Sequence, residues 1–315
     1  MKTFTEIKPA LLKRSSLALG FFDGVHPGHQ SVIKKAVEEA RRLDATPAVV
    51  TFREHPRALT LGKSPPLLTM PEQRLEICAE LGIEAALLLS FTEELCRLSP
   101  DAYVEQVLVE AMGACSLSVG YNHRFGRNRI GTPQLLADLG ASRNFEVHVA
   151  AEIMLDGSPI SSSRIRESLA NDTPELTRHL LGRPYSVKGI VERGDGRGRT
   201  IGFPTANTAT PEELILPGLG VYAGICQLEN GDKHPCIVNI GLRPTFGKND
   251  LPRTEVHIFD FDGDLYGQNL TVHFLHFIRQ EKRFSGVEEL KAQILKDCAE
   301  ARQKLACDDK TRATL

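Results

Sequence analysis

Leu17-Ala18-Leu19-Gly20-Phe21-Phe22-Asp23-Gly24-Val25-His26-Pro27-Gly28-His29 is the stretch on which the fold turns. Its apolar start, Leu17 to Phe21, reads as a short strand. Beyond it the period changes: Val32, Ile33, Ala36, Val37, Ala40 and Leu43 recur at helical spacing, so one stripe of that segment can face a sheet. A strand that passes through a glycine-bearing turn into an amphipathic helix is the building unit of a parallel α/β layer.

The same alternation continues to about Leu181. Ala48 to Phe52, Ala85 to Ser90, Ser116 to Val119 and Phe145 to Ala150 read as further strands. Thr69 with Glu72 predicts a capping box. Ser99-Pro100, Thr132-Pro133 and Thr173-Pro174 each predict a hydroxyl cap ahead of a proline at the first helical position. After Gly182-Arg183-Pro184 the rhythm changes to β-type runs joined by turns, which favours an antiparallel barrel or sandwich. Gly220 to Leu228 and His234 to Ile240 meet across Asn230-Gly231, and Glu255 to Phe261 leads through Asp262-Gly263 to Leu270 to Ile278. Ser285 with Glu288 announces a last helix carrying Leu290, Ile294 and Cys298 on one face, and the polar tail after Cys307 is expected to fray. Two domains follow, 1–183 and 184–315.

Composition agrees. The chain has 315 residues, 41% of them apolar and 25% charged, with a net charge of −2, enough for two ordinary globular cores and without the basic excess of a nucleic-acid surface. Seven scattered cysteines with no Cys-x-x-Cys pair read as reduced thiols in cytoplasm. The apolar run from Leu17 to Phe22 is too short for a signal segment, and no run approaches the ~18 residues of a membrane span. Neither a nucleic acid nor a membrane is expected as a partner, and the chain is expected to be a monomer or weak homo-oligomer.

The Gly20 to His29 turn stands at the carboxyl end of the first strand, where α/β proteins usually bind ligands. Gly28 lets a phosphate approach the backbone, the helix N-terminus offers unpaired N–H groups, and His26 and His29 add donors. Together they could balance the charge that develops when an α-phosphate is attacked and pyrophosphate leaves. Metal ligation by the histidines is a competing reading that lacks a carboxylate or thiol at matching spacing; a simple turn-capping role is another. In Ile160-Ser161-Ser162-Ser163-Arg164-Ile165-Arg166, arginines in a first helical turn oppose the helix dipole, which is easier to explain if an anion sits there.

The His-x-Gly-His and Ile-Ser-Ser-Ser-x-x-Arg segments resemble the nucleotidyltransferase superfamily. Thr51-Phe52-Arg53-Glu54-His55-Pro56 and Val119-Gly120-Tyr121-Asn122-His123-Arg124-Phe125-Gly126 narrow the resemblance to the FMN adenylyltransferase module of bacterial bifunctional riboflavin kinase/FAD synthetases. The resemblance implies that His26 and His29 act on the ATP phosphates. It also implies that Gly20, Phe21, Asp23, Gly28, Asn122, Ser162, Ser163 and Arg166 line the nucleotide site, and that His55 and Phe125 touch the flavin substrate. Ser163 stands where that family usually has Thr, and His123 where many members have Phe.

In the second half, Gly194-Asp195-Gly196-Arg197-Gly198-Arg199-Thr200-Ile201-Gly202-Phe203-Pro204-Thr205-Ala206-Asn207 offers glycines that free the backbone and arginines that add charge, so it can wrap a polyphosphate. It is neither a Walker A loop nor a dinucleotide fingerprint, since it lacks Gly-Lys-[Ser/Thr] and leads to strands. Thr205 and Asn207, two residues apart on an extended segment, present oxygens on one side that suit Mg²⁺. Glu255, on a strand face shared with His257 and Phe259, is a candidate general base, against the plain reading of a solvated strand carboxylate.

These segments, with Gly220-Val221-Tyr222-Ala223-Gly224, Asn239-Ile240-Gly241, Arg243-Pro244-Thr245-Phe246-Gly247 and Asp264-Leu265-Tyr266-Gly267, resemble the riboflavin kinase module. The resemblance implies a β-barrel with a C-terminal helix behind a Rossmann-like α/β domain. It makes Thr205 and Asn207 the magnesium residues, Glu255 the base, Gly194, Gly196, Arg197, Gly198 and Arg199 the ATP cradle, and Arg243 a substrate contact. Riboflavin and ATP would give FMN, and FMN and a second ATP would give FAD. A riboflavin kinase with an inactive first domain, or a non-catalytic flavin-binding regulator, are the rival readings.

Overall fold

The computed structural model describes residues 1–55, 64–194, 196–242 and 252–307. These fall into two compact units, Met1–Ser162 and Ser163–Leu315.

The first unit opens with β1 (Lys2–Phe4) and β2 (Ser15–Leu19), then α1 (Pro27–Leu43), β3 (Thr46–Phe52), α2 (Pro71–Glu80) and β4 (Ala85–Leu89). Two short helices, α3 (Glu93–Arg97) and α4 (Pro100–Tyr103), run into a π-helical stretch, Val104–Ala111. There follow β5 (Ala114–Gly120), α5 (Pro133–Arg143), β6 (Glu146–Ala150), and a small ribbon of β7 (Met154–Leu155) and β8 (Ser158–Pro159). β1 to β6 form one parallel sheet in the order β1-β4-β3-β2-β5-β6. The chain departs from β2 to β3 on one side and returns to β5 on the other, so the topological switch lies between β2 and β5.

Alternation along β2 explains why every residue in it is buried. Leu17 and Leu19 face a cluster that includes Val104, Leu108 and Met112, while Ala18 faces Val32, Ile33 and Ala36 of α1. Burying both faces of a central parallel strand is what holds its end, and the turn after it, in place.

The second unit takes up one residue into α6 (Ser162–Ala170) and continues with α7 (Pro174–Leu181), β9 (Tyr185–Glu192), a helical turn α8 (Arg197–Thr200), β10 (Ala206–Ala209), β11 (Gly220–Gln227), β12 (Lys233–Leu242), β13 (Pro252–Ile258), β14 (Asn269–Gln280) and α9 (Val287–Cys307). β9 to β14 close an antiparallel barrel, β10-β13-β12-β11-β14-β9, the barrel alternative of the sequence reading. Tyr222, Val238, Val256 and Phe274 fill it, while outward-facing Val221, Ala223, Ile225 and Leu275 are buried against Ala301 and Leu305 of α9. The compact units divide ahead of residue 183 because α6 and α7 belong with the barrel: the Tyr222 hydroxyl donates to Asp172 Oδ1 at 2.7 Å, and α7 packs on β9 and β14.

Three helix starts differ from expectation. α2 is capped at Met70, not Thr69, because Thr69 Oγ1 accepts the Gly24 N–H at 3.0 Å instead. Thr173 occupies the N-cap of α7, but its hydroxyl donates to the Ser168 carbonyl. Ser285 pairs with Glu289 rather than Glu288, through both its N–H and its hydroxyl. Ser99 and Thr132 cap as expected, accepting the N–H groups of Ala102 and Leu135 at 3.1 Å. All seven cysteines are free, and among the described residues no helix is long and apolar enough to cross a membrane.

Candidate active sites

At the end of β2 the chain makes a contorted turn. Phe22 and Val25 adopt positive φ (56° and 41°), a region costly for side chains of this kind, and Gly24 between them has φ 82°. Two anchors hold the turn. Asp23 Oδ1 accepts the N–H groups of Leu68 and Thr69 at 2.9 and 3.1 Å, and the Phe21 carbonyl accepts from Thr51 Oγ1 at 3.0 Å and Arg74 Nη1 at 2.8 Å.

The turn delivers His26 to the N-cap of α1, with Pro27 at the first helical position. The His26 side chain makes no capping hydrogen bond to α1. The His26 and His29 rings instead stack, centroids 3.7 Å apart, and Phe22 meets His29 edge-on at 5.5 Å. Gly28 leaves room for this stack, since a Cβ there would lie 3.2 Å from the His26 ring and press on it. The first turn of α1 carries no acidic side chain and its last turn carries Arg41 and Arg42, so its positive dipole end is uncancelled beside the histidines.

Around this turn, the Ser162 hydroxyl donates to the Asp23 carbonyl at 2.9 Å, and the His55 ring stands edge-on to Phe21 at 4.8 Å. Ser163 and Arg166 follow Ser162 along α6. Asn122 is exposed in the turn after β5, and Phe125 is buried between Tyr103 and His123. Burial, and then the charge of Arg129, push the His123 imidazole down to about 4, so it is neutral near pH 7. A cavity of about 550 Å³ lies between α1 and the β5–β6 edge, lined by Ser31, Lys35, Ser118, His148 and Ala150 among others, within the volume range of small-molecule sites. The nearby cluster of Glu39, Glu146 and His148 is an ion-pair network, with Glu39 already engaged by Lys35 at 2.8 Å and Arg42 at 2.6 Å.

Arg74 is the residue that the sequence reading missed. It is fully buried on α2, and its spacing from Pro71, Leu75 and Cys78 was the available signal, because positions 71, 74, 75 and 78 form one inward stripe.

In the barrel, β9 and β10 pair antiparallel, with Asn207 opposite Glu192, and the glycine-rich segment connects them. Its glycines are dictated by what lies against them. A Cβ on Gly194 would fall 2.3 Å from Asn207 Nδ2, and one on Gly198 would fall 2.3 Å from the Phe203 carbonyl and 3.4 Å from Thr205 Oγ1. Gly196 and Gly202 are needed for their φ values of 69° and 90°. Gly194 and Gly198 therefore lie against the Asn207 and Thr205 side chains, whose amide and hydroxyl oxygens are hard donors of the kind a magnesium ion takes. Arg197 begins α8 and Arg199 is exposed along it.

Asn207 also stands directly opposite Glu255 of β13, and Glu255 opposite Asn239 of β12, so the three polar residues form one row across three strands. Thr254, Val256 and Ile258 point into the barrel, whereas Glu255 and His257 are half-buried on the opposite face. His257 Nδ1 donates to the Pro204 carbonyl at 2.8 Å and its ring meets Phe203 edge-on at 5.6 Å, fixing the segment just before Thr205. Phe259 shares that face in sequence but is covered by α9, with Arg302 stacked 4.3 Å over its ring. Arg243 lies outside the described residues.

Residues 8–164 match the FAD synthetase family and residues 181–305 the riboflavin kinase family. A bifunctional riboflavin kinase/FMN adenylyltransferase of Listeria monocytogenes is 39% identical over 89% of this chain and 89% of its own, and that of Bacillus subtilis 38% identical over 91% and 92%. Among solved structures, one described as a macrolide-efflux protein from Streptococcus pneumoniae superposes with a TM-score of 0.86 at 29% identity, covering 96% of this chain and 99% of that one.

Proposed function

The chain belongs to the bifunctional riboflavin kinase/FMN adenylyltransferase family, and from that premise we propose how its residues divide the two reactions. It phosphorylates riboflavin with ATP to give FMN, then transfers AMP from ATP to FMN to give FAD and pyrophosphate. The modules we assign are residues 1–183 for adenylyl transfer and 184–315 for phosphoryl transfer, in the cytoplasm.

For phosphoryl transfer, the observation that carries the reading is the apposition of Asn207 and Glu255 beneath the Gly194–Gly198 loop. Thr205 and Asn207 would hold Mg²⁺, which when bound neutralises charge on the ATP phosphates. Glu255 takes the proton from the ribityl hydroxyl as its oxygen attacks the γ-phosphorus and the bond to ADP breaks, help worth roughly 10²- to 10⁴-fold. Gly194, Gly196 and Gly198 keep the loop low enough for its N–H groups to meet the phosphates, Arg197 and Arg199 add charge, and Arg243 contacts substrate.

For adenylyl transfer, a phosphate oxygen of FMN attacks the α-phosphorus of ATP and the bond to the β-phosphate breaks. His26 and His29, at the positive end of α1, balance the charge on the departing pyrophosphate. Gly20, Phe21, Asp23 and Gly28 shape the turn that carries them. Ser162, Ser163, Arg166 and Asn122 complete the nucleotide site, and His55 and Phe125 face the flavin.

The test is incubation with riboflavin, ATP and Mg²⁺ and chromatographic separation of riboflavin, FMN and FAD. Production of FMN and FAD by the one polypeptide is expected; accumulation of FMN alone would reduce the chain to a kinase.

A further inference from the structure

Arg74 holds the turn that carries the candidate adenylyl-transfer histidines through one of its residues, Phe21. Its side chain is 0% exposed, and burial lowers the affinity of its guanidinium for the proton, an effect partly offset by the carboxylate of Asp23. Nη1, with two N–H groups, lies within hydrogen-bond distance of three oxygens: it donates to the Phe52 carbonyl at 2.7 Å and the Phe21 carbonyl at 2.8 Å, with Thr51 Oγ1 sharing a hydrogen at 3.2 Å. Nε and Nη2 are buried with no hydrogen-bond partner among the described residues. The guanidinium also lies 4.3 Å over the Phe21 ring, which meets the His55 ring edge-on.

Two of those oxygens, of Thr51 and Phe52, belong to the carboxyl end of β3, and the third, of Phe21, to the turn two residues past the adjacent β2. The Phe21 carbonyl belongs to the peptide that leads into Phe22, the first residue of the turn with positive φ. Without fixed donors on that carbonyl, the strained turn from Phe22 to Val25 could relax by rotating the Phe21–Phe22 peptide, and the His26–His29 stack would move with it. A buried cation with two idle donors is costly and is retained where its position does something else.

We propose that Arg74 is a positioning residue for adenylyl transfer: it clamps the turn after β2 to the end of β3 so that this strained turn presents His26 and His29 in register for the nucleotide. The inference rests on the reading of Gly20–His29 as the adenylyl-transfer site. Three oxygens converge on one nitrogen, a demand that a lysine ammonium with its three N–H groups can meet.

The experiment compares full-length wild type, Arg74→Lys and Arg74→Met, each assayed separately for FMN formation from riboflavin and for FAD formation from added FMN, with kcat and KM for ATP resolved. The barrel's kinase activity reports whether each protein is folded and correctly quantified, and circular dichroism melts follow the first unit. Arg74→Met is expected to lower kcat for FAD formation by about tenfold or more, the scale of a small displacement of catalytic groups, with kinase rates unchanged. Arg74→Lys is expected to recover most of that loss. Adding Thr51→Val to Arg74→Met should cost little more, because both act on the Phe21 carbonyl. The inference is overturned if Arg74→Met makes FAD within about twofold of wild type, or if Lys and Met lose activity equally and only in proportion to unfolding. A wild type that makes FMN but no FAD removes the underlying reading and this inference together, which distinguishes the two failures.

Discussion

Asn207 and Glu255 oppose one another directly across the β10–β13 ladder, although 48 residues separate them in the chain. Directly opposed residues of an antiparallel pair project from the same face with Cβ atoms about 5 Å apart. A metal-ligating amide and a carboxylate base at that spacing can serve one phosphoryl transfer, the amide on the nucleotide side and the carboxylate on the attacking alcohol.

Glu255→Gln keeps the shape and removes the carboxylate proposed as the base. FMN formation is expected to fall by about 10²- to 10⁴-fold, while FAD formation from supplied FMN continues at the wild-type rate. Steady-state assays of the two half-reactions decide it. Equal loss of both would mean that the carboxylate supports the fold rather than the kinase chemistry.

His29→Ala removes one of two stacked imidazoles at the start of α1. The expected result is FMN accumulation with FAD formation down by about 10²- to 10³-fold, the usual cost of deleting one group that stabilises developing charge. A product chromatogram shows it directly, and an unchanged FAD peak would place the adenylyl chemistry elsewhere.

Gly194→Ala tests the cradle sterically. The added methyl would sit 2.3 Å from Asn207 Nδ2, so the half-exposed Asn207 side chain must swing away while the barrel core is undisturbed. Kinase kcat/KM for MgATP should drop by about tenfold or more with little change in melting temperature. In an Asn207→Ala background the same glycine change should add almost nothing, because both act on one side chain. Additive losses would show that Gly194 matters for its own backbone and not for Asn207.

The sequence made the local patterns legible and hid the long-range ones. Strand-helix alternation and the apolar stripe of α1 announced the parallel sheet, because both faces of β2 and one face of that helix must be covered. The His26 and Gly194–Asn207 segments stood out because glycine and histidine are expensive choices unless geometry demands them. Arg74 was invisible as a site residue because an arginine on a helix ordinarily faces water. Thr69 was misread as a cap since nothing local reveals that Gly24, 45 residues earlier, competes for its hydroxyl. The row Asn207–Glu255–Asn239 depends on register across three strands, which residue spacing alone does not encode.

His123 gives the first unit a pH signature. In the folded chain burial, followed by Arg129, pushes its imidazole down to about 4, whereas in the unfolded chain it titrates near 6.5. Between those values the unfolded state binds more protons, so stability falls as pH drops from about 6.5 towards 4 and the loss levels off below that. Phenylalanine takes up no proton and can keep the ring stack on Phe125. Wild type should therefore lose about 1–2 kcal/mol more stability than His123→Phe on going from pH 7.5 to pH 5. His273 of the barrel, pushed down to about 4 by burial ahead of Lys233 and Arg183, is present in both proteins and cancels in the comparison. Urea titrations at the two pH values, monitored by loss of adenylyl transfer, measure the difference. Parallel pH dependence in the two proteins would show that His123 takes its proton as readily folded as unfolded.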